Sequence, residues 1–309
     1  MGQLNSLQHY IPQFYLRNFS LDNKSIVVYD KIQEKVYKSP INKVASERYF
    51  YSLPENTFDE NGEKVDSLFI ENDYFANNIE PSFSILIRTI LENKEKWIKD
   101  HGYQALNVND KYNFAKFIAI QRFRVPSYRE ELITTRKDIM DGIFDLFTEG
   151  LSLENPDLDI DLSPSDKGFL KDSLTPNIKL DHANLGFRSE SLIDTYAQLL
   201  AHNYWEFSFI PENDLYTSDR PIAYRIHSRE ENLTLLCGGL ANYSSEVTFP
   251  ISKDILLTIW DKNYFGQKKR QDCKFSTLPN IRKVINNYTR LLFAKRQIFC
   301  LKKEFLSSE

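Results

Sequence analysis

Cysteine is scarce in this sequence, with Cys237, Cys273 and Cys300 as the three examples in 309 residues. They lie far apart, so they form neither a zinc-ligand spacing nor a disulfide framework. Disulfides persist mainly in oxidising compartments. The cysteine pattern therefore predicts a reducing, cytoplasmic location and a fold that does not depend on disulfides.

Long apolar runs and the common catalytic motifs are also missing. No run approaches the ~20 residues that span a bilayer, and the first residues lack the basic and apolar regions of a signal peptide. We therefore expect no membrane partner. The absence of phosphate-binding glycine loops, of HExxH and of GxSxG excludes standard NTPases, dinucleotide enzymes, zincins and α/β-hydrolases.

The charge and the composition are those of an ordinary globular protein. The formal net charge is −4, which is no footprint for a dedicated DNA-binding domain, although a local basic groove stays compatible with it. Aromatic residues are frequent, with 22 Phe and 17 Tyr. Because rings are the usual large buried groups, we expect a core built on them.

Short strands are predicted at both ends of the chain. Apolar or alternating runs separated by turn residues indicate a hairpin and a further strand before residue 54. Similar runs return after residue 204. The predicted strands cover residues 25–30, 35–38 and 48–53, several short segments within 205–260, and 297–301.

The centre of the chain has the apolar period of helices. Pro81 falls inside this pattern, which predicts either a kinked helix or a new helix with Pro81 in its first turn. Asn109 and Asp110 are the expected cap of the following helix. The acidic segment 150–166 is the best candidate for a linker or a long surface loop. The predicted helices cover residues 66–77, 83–91, 111–124, 128–147, 189–203 and 279–293.

The order of elements predicts an α+β fold. We expect a mixed or antiparallel sheet that combines the N-terminal hairpin with the C-terminal strands, and a large central helical region. We expect a single domain over 1–309, built from segments 1–65, 66–204 and 205–309. Two separately folding domains are the alternative.

The segment 9–19, HYIPQFYLRNF, has the most unusual composition in the chain. Its apolar residues are expected to plug into the core. That would hold its polar residues in fixed positions, and these are His9, Gln13, Arg17 and Asn18.

Two residues are candidates for catalysis. The imidazole of His9 can be a general base, a general acid or a metal ligand near neutral pH, or a packed group bonded to the backbone. Asp219 follows a predicted strand, where catalytic acids are often held. Ser and Asp before Pro are equally good turn residues.

Gln121 and Arg124 lie on the apolar face of their helix, where polar groups must find partners. Arg124 would form an ion pair with Glu80, Glu71 or Asp219. Alternatively, its guanidinium binds a phosphate or a carboxylate, which its geometry suits. A structural ion pair is the favoured interpretation. The same two interpretations, a structural ion pair or a contact with a ligand, apply to Glu80.

Several motifs together resemble a bacterial family of unknown function, the domain-of-unknown-function family 4238. Its members resemble this chain in a His-Tyr-x-Pro-x-x-Tyr-Leu-x-x-Phe start and a later Ser-Asp-x-Pro turn. The resemblance implies an unsettled activity and, from scattered bacterial occurrence, a role in conflict with phage. The other matching positions are Glu80, Gln121, Arg124, Pro126, Trp205, Ser218, Asp219, Pro221 and Asn286 or Asn287.

Two functions follow as hypotheses. The first is a hydrolase or transferase acting on a phosphodiester of RNA or a nucleotide, a toxin-like or anti-phage effector, with a divalent metal compatible but not required. The second is a non-catalytic binding or effector subunit with a protein partner, in which the same residues form a buried structural network. For the enzyme, the catalytic residues would be His9, Asp219 and Glu80 or Glu71, and the substrate-binding residues Arg17, Gln13, Gln121, Arg124, Ser218 and Asn287.

Overall fold

A computed structural model describes residues 7–58, 61–154, 178–188, 190–227, 234–235 and 243–302. Two π-helical segments, Ile70–Ile79 and Asn184–Arg188, precede the second and sixth helices. The strands are β1 (Leu7–His9), β2 (Ser25–Asp30), β3 (Lys35–Pro40), β4 (Ser46–Arg48), β5 (Tyr204–Phe209), β6 (Thr217–Ser218), β7 (Ala223–His227), β8 (Thr234–Leu235), β9 (Ser245–Ser252), β10 (Ile255–Trp260), β11 (Lys274–Thr277) and β12 (Gln297–Cys300). The α-helices are α1 (Gln13–Leu16), α2 (Glu80–Lys99), α3 (Val108–Arg124), α4 (Pro126–Glu154), α5 (Ile178–Ala183), α6 (Glu190–Ala201) and α7 (Asn280–Phe293).

The larger sheet has six strands in the order β11-β5-β10-β9-β7-β8. Its pairs are antiparallel except β11 with β5, which is parallel. Every residue of the central strands β9 and β10 is buried. Strands covered on both faces carry continuous apolar runs, and the sequence ILLTIW of β10 is such a run.

The second sheet joins the two ends of the chain in the order β3-β2-β12-β6. Ile298 of β12 pairs with Tyr29 on one side and with Ser218 on the other. The α+β fold and the sheet shared by the N-terminal hairpin and the C-terminal strands are therefore confirmed. This sheet is separate from the six-stranded one, which the sequence did not indicate.

Two of the predicted boundaries differ from the structure in ways that the local backbone explains. The strand predicted over 48–53 is β4, Ser46–Arg48, which pairs with β1 and ends where Tyr49 adopts a φ of 54°. The cap of α3 is Asn107, whose Oδ1 accepts the backbone N–H of Asp110 at 2.8 Å. Side-chain caps of this kind satisfy amides that have no partner inside the helix.

The helices around Pro81 and Pro126 follow the rules for proline. The π-helical segment Ile70–Ile79 leads into α2, which begins at Glu80, so Pro81 lies in its first turn. Pro126 ends α3 and begins α4, which runs to Glu154. The first part of the predicted linker is therefore helical, and its remainder, 155–166, lies outside the described residues.

The N-terminal segment 9–19 is anchored in an aromatic core, as its composition predicts. Ile11, Leu16 and Phe19 are fully buried. The Tyr15 ring stacks on Phe249 with 5.3 Å between centroids. Such an anchor fixes the backbone on both sides of His9. Within the described ranges, no helix has the length and apolar character required to cross a bilayer.

Candidate functional site

Four polar side chains meet where four elements begin or end. His9 is the last residue of β1, and Glu71 lies in the first turn of the π-helical segment. Glu80 begins α2, and Arg124 ends α3. Long-range charge interactions link all four in the fold. We refer to His9, Glu71, Glu80 and Arg124 as the acid–base cluster.

Arg124 is the buried cation of the acid–base cluster. Its side chain is 2% exposed, and its Nη2 donates to Glu80 Oε1 at 2.7 Å. Its Nε donates to the carbonyl of His9 at 3.0 Å, and its guanidinium lies 3.8 Å from the centre of the Phe75 ring. The prediction that Arg124 is buried and paired with a carboxylate is confirmed.

His9 is buried, yet its ring is not fully bonded. Its Nε2 has no hydrogen-bond partner among the described residues. Burial, and then the charge of Arg124, lower the pKa of His9 below its ordinary value, while the Asn42 backbone and Glu80 act in the opposite direction. The imidazole is therefore neutral at neutral pH and is available as a proton acceptor.

Glu71 has the opposite perturbation. Burial raises its pKa to about 7 and Glu80 adds to this effect, while Arg124 and a hydrogen bond from the His9 backbone oppose it. Its Oε2 is a buried atom for which the described structure provides no partner. At neutral pH the carboxyl group is therefore partly protonated and can donate a proton.

Together these two groups combine a neutral imidazole, whose pKa is lowered by burial, with a carboxyl group whose pKa is raised to about 7. A general acid or base works best when its pKa lies near the operating pH. Paired titratable groups with perturbed pKa values are a common property of active sites, although structural networks also produce them. The π-helical turn that carries Glu71 is a further feature often found at functional sites.

Gln121 supports the segment next to His9. Its Nε2 donates to the carbonyl of Tyr10 at 3.0 Å, while its Oε1 has no partner in the described structure. Tyr51 donates its hydroxyl to the carbonyl of Arg124. The backbone around His9 and Arg124 is thus fixed by side chains from three directions.

Asp219 lies in a different environment. Its Oδ1 accepts the backbone N–H of Lys295 at 2.9 Å, and its Oδ2 accepts those of Arg296 and Gln297 at 2.6 and 2.9 Å. Burial raises the pKa of Asp219, and these three amides oppose the increase. Its hydrogen bonds hold the turn between α7 and β12. A ligand shared with His9 stays a prediction.

The other predicted residues divide between turns and the surface. Ser218 Oγ donates to the Arg220 carbonyl at 2.9 Å and closes its own turn. Asn287 bridges the backbones of Tyr216 and Asp214. Gln13 is half-buried and Arg17 is exposed. The substrate-binding roles of these four residues stay predictions, and none of these contacts joins them to the acid–base cluster.

A cavity of about 450 Å³ opens beside the start of α4. Sequence reasoning missed it, because its wall combines residues from α4, the loop after β6 and the end of α7. A proline followed by a serine at a helix start was the one local signal. The polar and aromatic lining includes Ser127, Glu130, Glu131, Arg220, Phe293 and Lys295.

Metal ligation was left open by the sequence. Among the residues with described positions, no group of three or more His, Cys, Asp and Glu side chains is arranged to hold a metal ion. Cys273 and Cys300 are both free and buried.

Comparisons with known proteins identify a family but no characterised relative. No curated protein and no solved structure matches the chain. The motifs at His9, Gln121, Arg124 and Asp219 all fall within one family match. The chain belongs to the family described as Protein of unknown function (DUF4238), whose model matches residues 7–304.

Proposed function

We propose that this protein is a hydrolase or transferase that acts on a phosphodiester of RNA or a nucleotide. The observation that carries the proposal is that His9 and Glu71 lie around the same buried cation, Arg124, and that the His9 backbone donates a hydrogen bond to Glu71. Each has a buried polar atom without a partner in the described structure, and burial lowers the pKa of His9 and raises that of Glu71 to about 7. The unbonded atoms are where a substrate would complete the cluster.

In the proposed reaction His9 is the general base. Its Nε2 takes the proton of the attacking oxygen, which is water in a hydrolase and a substrate hydroxyl in a transferase. A new P–O bond forms as the bond to the leaving oxygen breaks. Glu71 gives its proton to that oxygen, so the two protons balance and each group ends in the other protonation state.

Arg124 and Glu80 position the pair in this mechanism. The charge of Arg124 helps to keep His9 neutral and lowers the pKa of Glu71, and Glu80 holds Arg124 at 2.7 Å. We assign Asp219 a structural role, because its two oxygens accept three backbone amides. Nothing in this mechanism requires a metal, although a divalent ion is compatible with the substrate class.

The proposed substrate class is compatible with this acid–base chemistry. Phosphodiester cleavage requires one proton to be removed and another to be supplied, which a neutral imidazole and a protonated carboxyl group do at neutral pH. The bacterial distribution implied by the family resemblance supports an effector that is toxic to the cell or to phage. We include that role in the proposal.

A second candidate is a non-catalytic binding or effector subunit. This alternative is favoured by the hydrogen bonds of Arg124 and Asp219, the two most buried charged residues of the family motifs. Arg124 is 2% exposed and paired with Glu80, and Asp219 is 6% exposed and bonded to three amides. Under this alternative the cluster stabilises the fold, and an exposed surface carries the function.

Cleavage assays with RNA, DNA and nucleotides, with and without divalent metal, distinguish the two. His9→Ala and Glu71→Gln should each remove activity and keep a melting temperature close to that of the parent. The matched controls are His101→Ala and Glu55→Gln, which change exposed residues. Toxicity on expression in bacteria provides a readout that needs no known substrate.

One combination of results would contradict the enzyme hypothesis. If the parent chain cleaves none of the substrates and both variants are as toxic as the parent, the acid–base cluster is not an active site. Loss of folding in both variants would favour the structural network instead.

A further inference from the structure

The cavity beside the start of α4 has no role in the proposed reaction. It lies where α3 ends and α4 begins, at Pro126. The turn at Asp219, which fixes the backbone of Lys295, holds its opposite wall. Family motif residues therefore build this cavity from two sides without filling it.

Hydrogen-bond donors without partners lie on two residues that line the cavity and on a third residue that contacts its wall. Ser127 lines it, is 8% exposed, and its Oγ has no partner in the described part of the chain. Arg220 also lines the cavity, and its buried Nε likewise has no hydrogen-bond partner in the described part of the chain. Arg122, which contacts Glu131 at the wall, has an equally unused Nη1. All three groups can donate, so they suit a ligand rich in acceptor oxygens.

The local charge also favours an anion. Glu131 is shared by Arg122 and by Arg220, whose Nη2 donates to its Oε1 at 2.9 Å. Glu130 pairs with Lys295. Three cations therefore meet Glu130, Glu131 and, at Arg220, the charge of Asp219, and the helix N-terminus adds about half a positive charge to this balance.

Asp219 is a further carboxylate near this group, since its charge acts on Arg220. Its oxygens, however, face the backbone amides of the 295–297 turn. The pair of Glu130 and Lys295 is about half exposed, and exposed pairs of this kind open readily. Lys295 is therefore able to turn to an incoming ligand.

One aromatic ring completes the cavity. Phe293 lines it, and the guanidinium of Arg220 lies 5.5 Å from the centre of its ring. Nucleic-acid bases stack on aromatic side chains and on guanidinium planes. A ligand with a phosphate and an adjoining base would use both halves of the cavity.

From this geometry we propose that the cavity binds a nucleotide, with its phosphate held by Ser127, Arg220 and Lys295 and its base against Phe293. The start of a long helix is a common phosphate site, and here the unbonded Ser127 and Arg220 atoms give it specific donors. The site does not depend on catalysis at His9, so it stands whether or not the chain is an enzyme.

Calorimetric titration of the full chain tests the proposal with three probes: a nucleoside 5′-monophosphate, the same nucleoside without phosphate, and inorganic phosphate. The monophosphate should bind most tightly. Arg220→Gln should weaken its binding about tenfold or more, as expected when a charge-assisted hydrogen bond is lost. Ser127→Ala should weaken it less. Glu130→Gln should strengthen it, because that carboxylate competes for Lys295.

The matched control is Arg88→Gln, which removes an exposed arginine on α2 and should leave binding unchanged. A melting curve is measured for each variant. If Arg220→Gln does not fold, Ser127→Ala serves as the deciding variant. The proposal is overturned if the parent binds no probe, or if Ser127→Ala and Arg220→Gln bind as the parent does. Equal affinity for the nucleoside and the nucleotide overturns the phosphate site, and equal affinity for phosphate and the nucleotide overturns the base contact.

Discussion

Asp219 and Glu71 are carboxylates shielded by the same fold, and they differ in what they bind. Both oxygens of Asp219 accept backbone amides, three in all. Glu71 keeps a buried oxygen without a partner in the described structure. Burial raises both pKa values. Three amides oppose it at Asp219, whereas at Glu71 the charge of Arg124 and one backbone hydrogen bond from His9 oppose it, and the pKa still reaches about 7. A carboxylate that has used its bonds supports the fold, and one that has not can take part in chemistry.

The same difference separates the two regions around these residues. In the turn bonded by Asp219, the side-chain carboxylate accepts the backbone amides in place of backbone carbonyls. The acid–base cluster instead combines a satisfied cation, Arg124, with the incompletely bonded His9 and Glu71. We therefore expect stability to depend most on the fully bonded groups, Arg124 and Asp219, and pH to act through the incompletely bonded His9 and Glu71.

Loss of Arg124 should produce the largest effect on stability. Arg124→Ala strands the half-buried carboxylate of Glu80 and removes the bond to the His9 carbonyl. Breaking a buried pair costs about 3–5 kcal/mol, which corresponds to a fall in Tm of roughly 10 °C in a chain of this size. Thermal melting measures it. Arg88→Ala, an exposed arginine on α2, is the control, and a variant that melts with the parent would contradict the buried pair.

Replacing Asp219 should have the next largest effect. Asp219→Asn retains the shape but loses an acceptor, so a backbone amide of the 295–297 turn is left without a partner, at a cost of roughly 1–3 kcal/mol. The matched control is Asp22→Asn. That carboxylate also accepts two backbone amides, but its side chain is 43% exposed, so water replaces the lost bond. Equal melting temperatures for both variants would show that Asp219 is not the closed support described above.

Glu71→Gln should have the smallest effect, and it should depend on pH. The pKa of Glu71 is raised from 4.5 to about 7, so the folded state favours the protonated form. That contribution is fully present below 4.5 and is lost as the pH rises through about 7. Gln resembles the protonated form, so the variant should gain stability relative to the parent as the pH rises from 4.5 to about 7, and it should keep that gain at higher pH.

Denaturant unfolding across this pH range measures the gain from Glu71→Gln. Glu55→Gln, on the exposed surface, should show no comparable trend. Parallel stability curves for Glu71→Gln and the parent would remove the central feature of the acid–base cluster.

The fold was largely accessible from the sequence because its signals are local. Apolar periodicity identified the central helices, and β-branched and aromatic runs identified both groups of strands. The sequence also predicted that Arg124 pairs with a carboxylate, because a charged residue on an apolar helix face needs a partner, and Glu80 was one of its three candidates. The division of the strands into separate sheets was not accessible, since it depends on long-range pairing such as β12 with β2.

The candidate site was less accessible. The sequence identified His9 and Asp219 as candidates and left Glu80 and Glu71 as alternatives, because residue type does not show which carboxylate keeps an oxygen without a partner. Glu71 lies in a π-helical turn, whose extra residue has no local signature. The cavity at Ser127 and Arg220 joins segments almost a hundred residues apart, so no single motif describes it.

The most direct test of the acid–base cluster is the titration of Glu71 itself. Carbon-13 labelling of the glutamate side chains, with Glu71→Gln used to assign the resonance, gives its midpoint by NMR. We expect a midpoint of about 7 in the parent chain, together with a His9 midpoint below the ordinary histidine value. A Glu71 midpoint near 4.5, its ordinary value, would contradict the account.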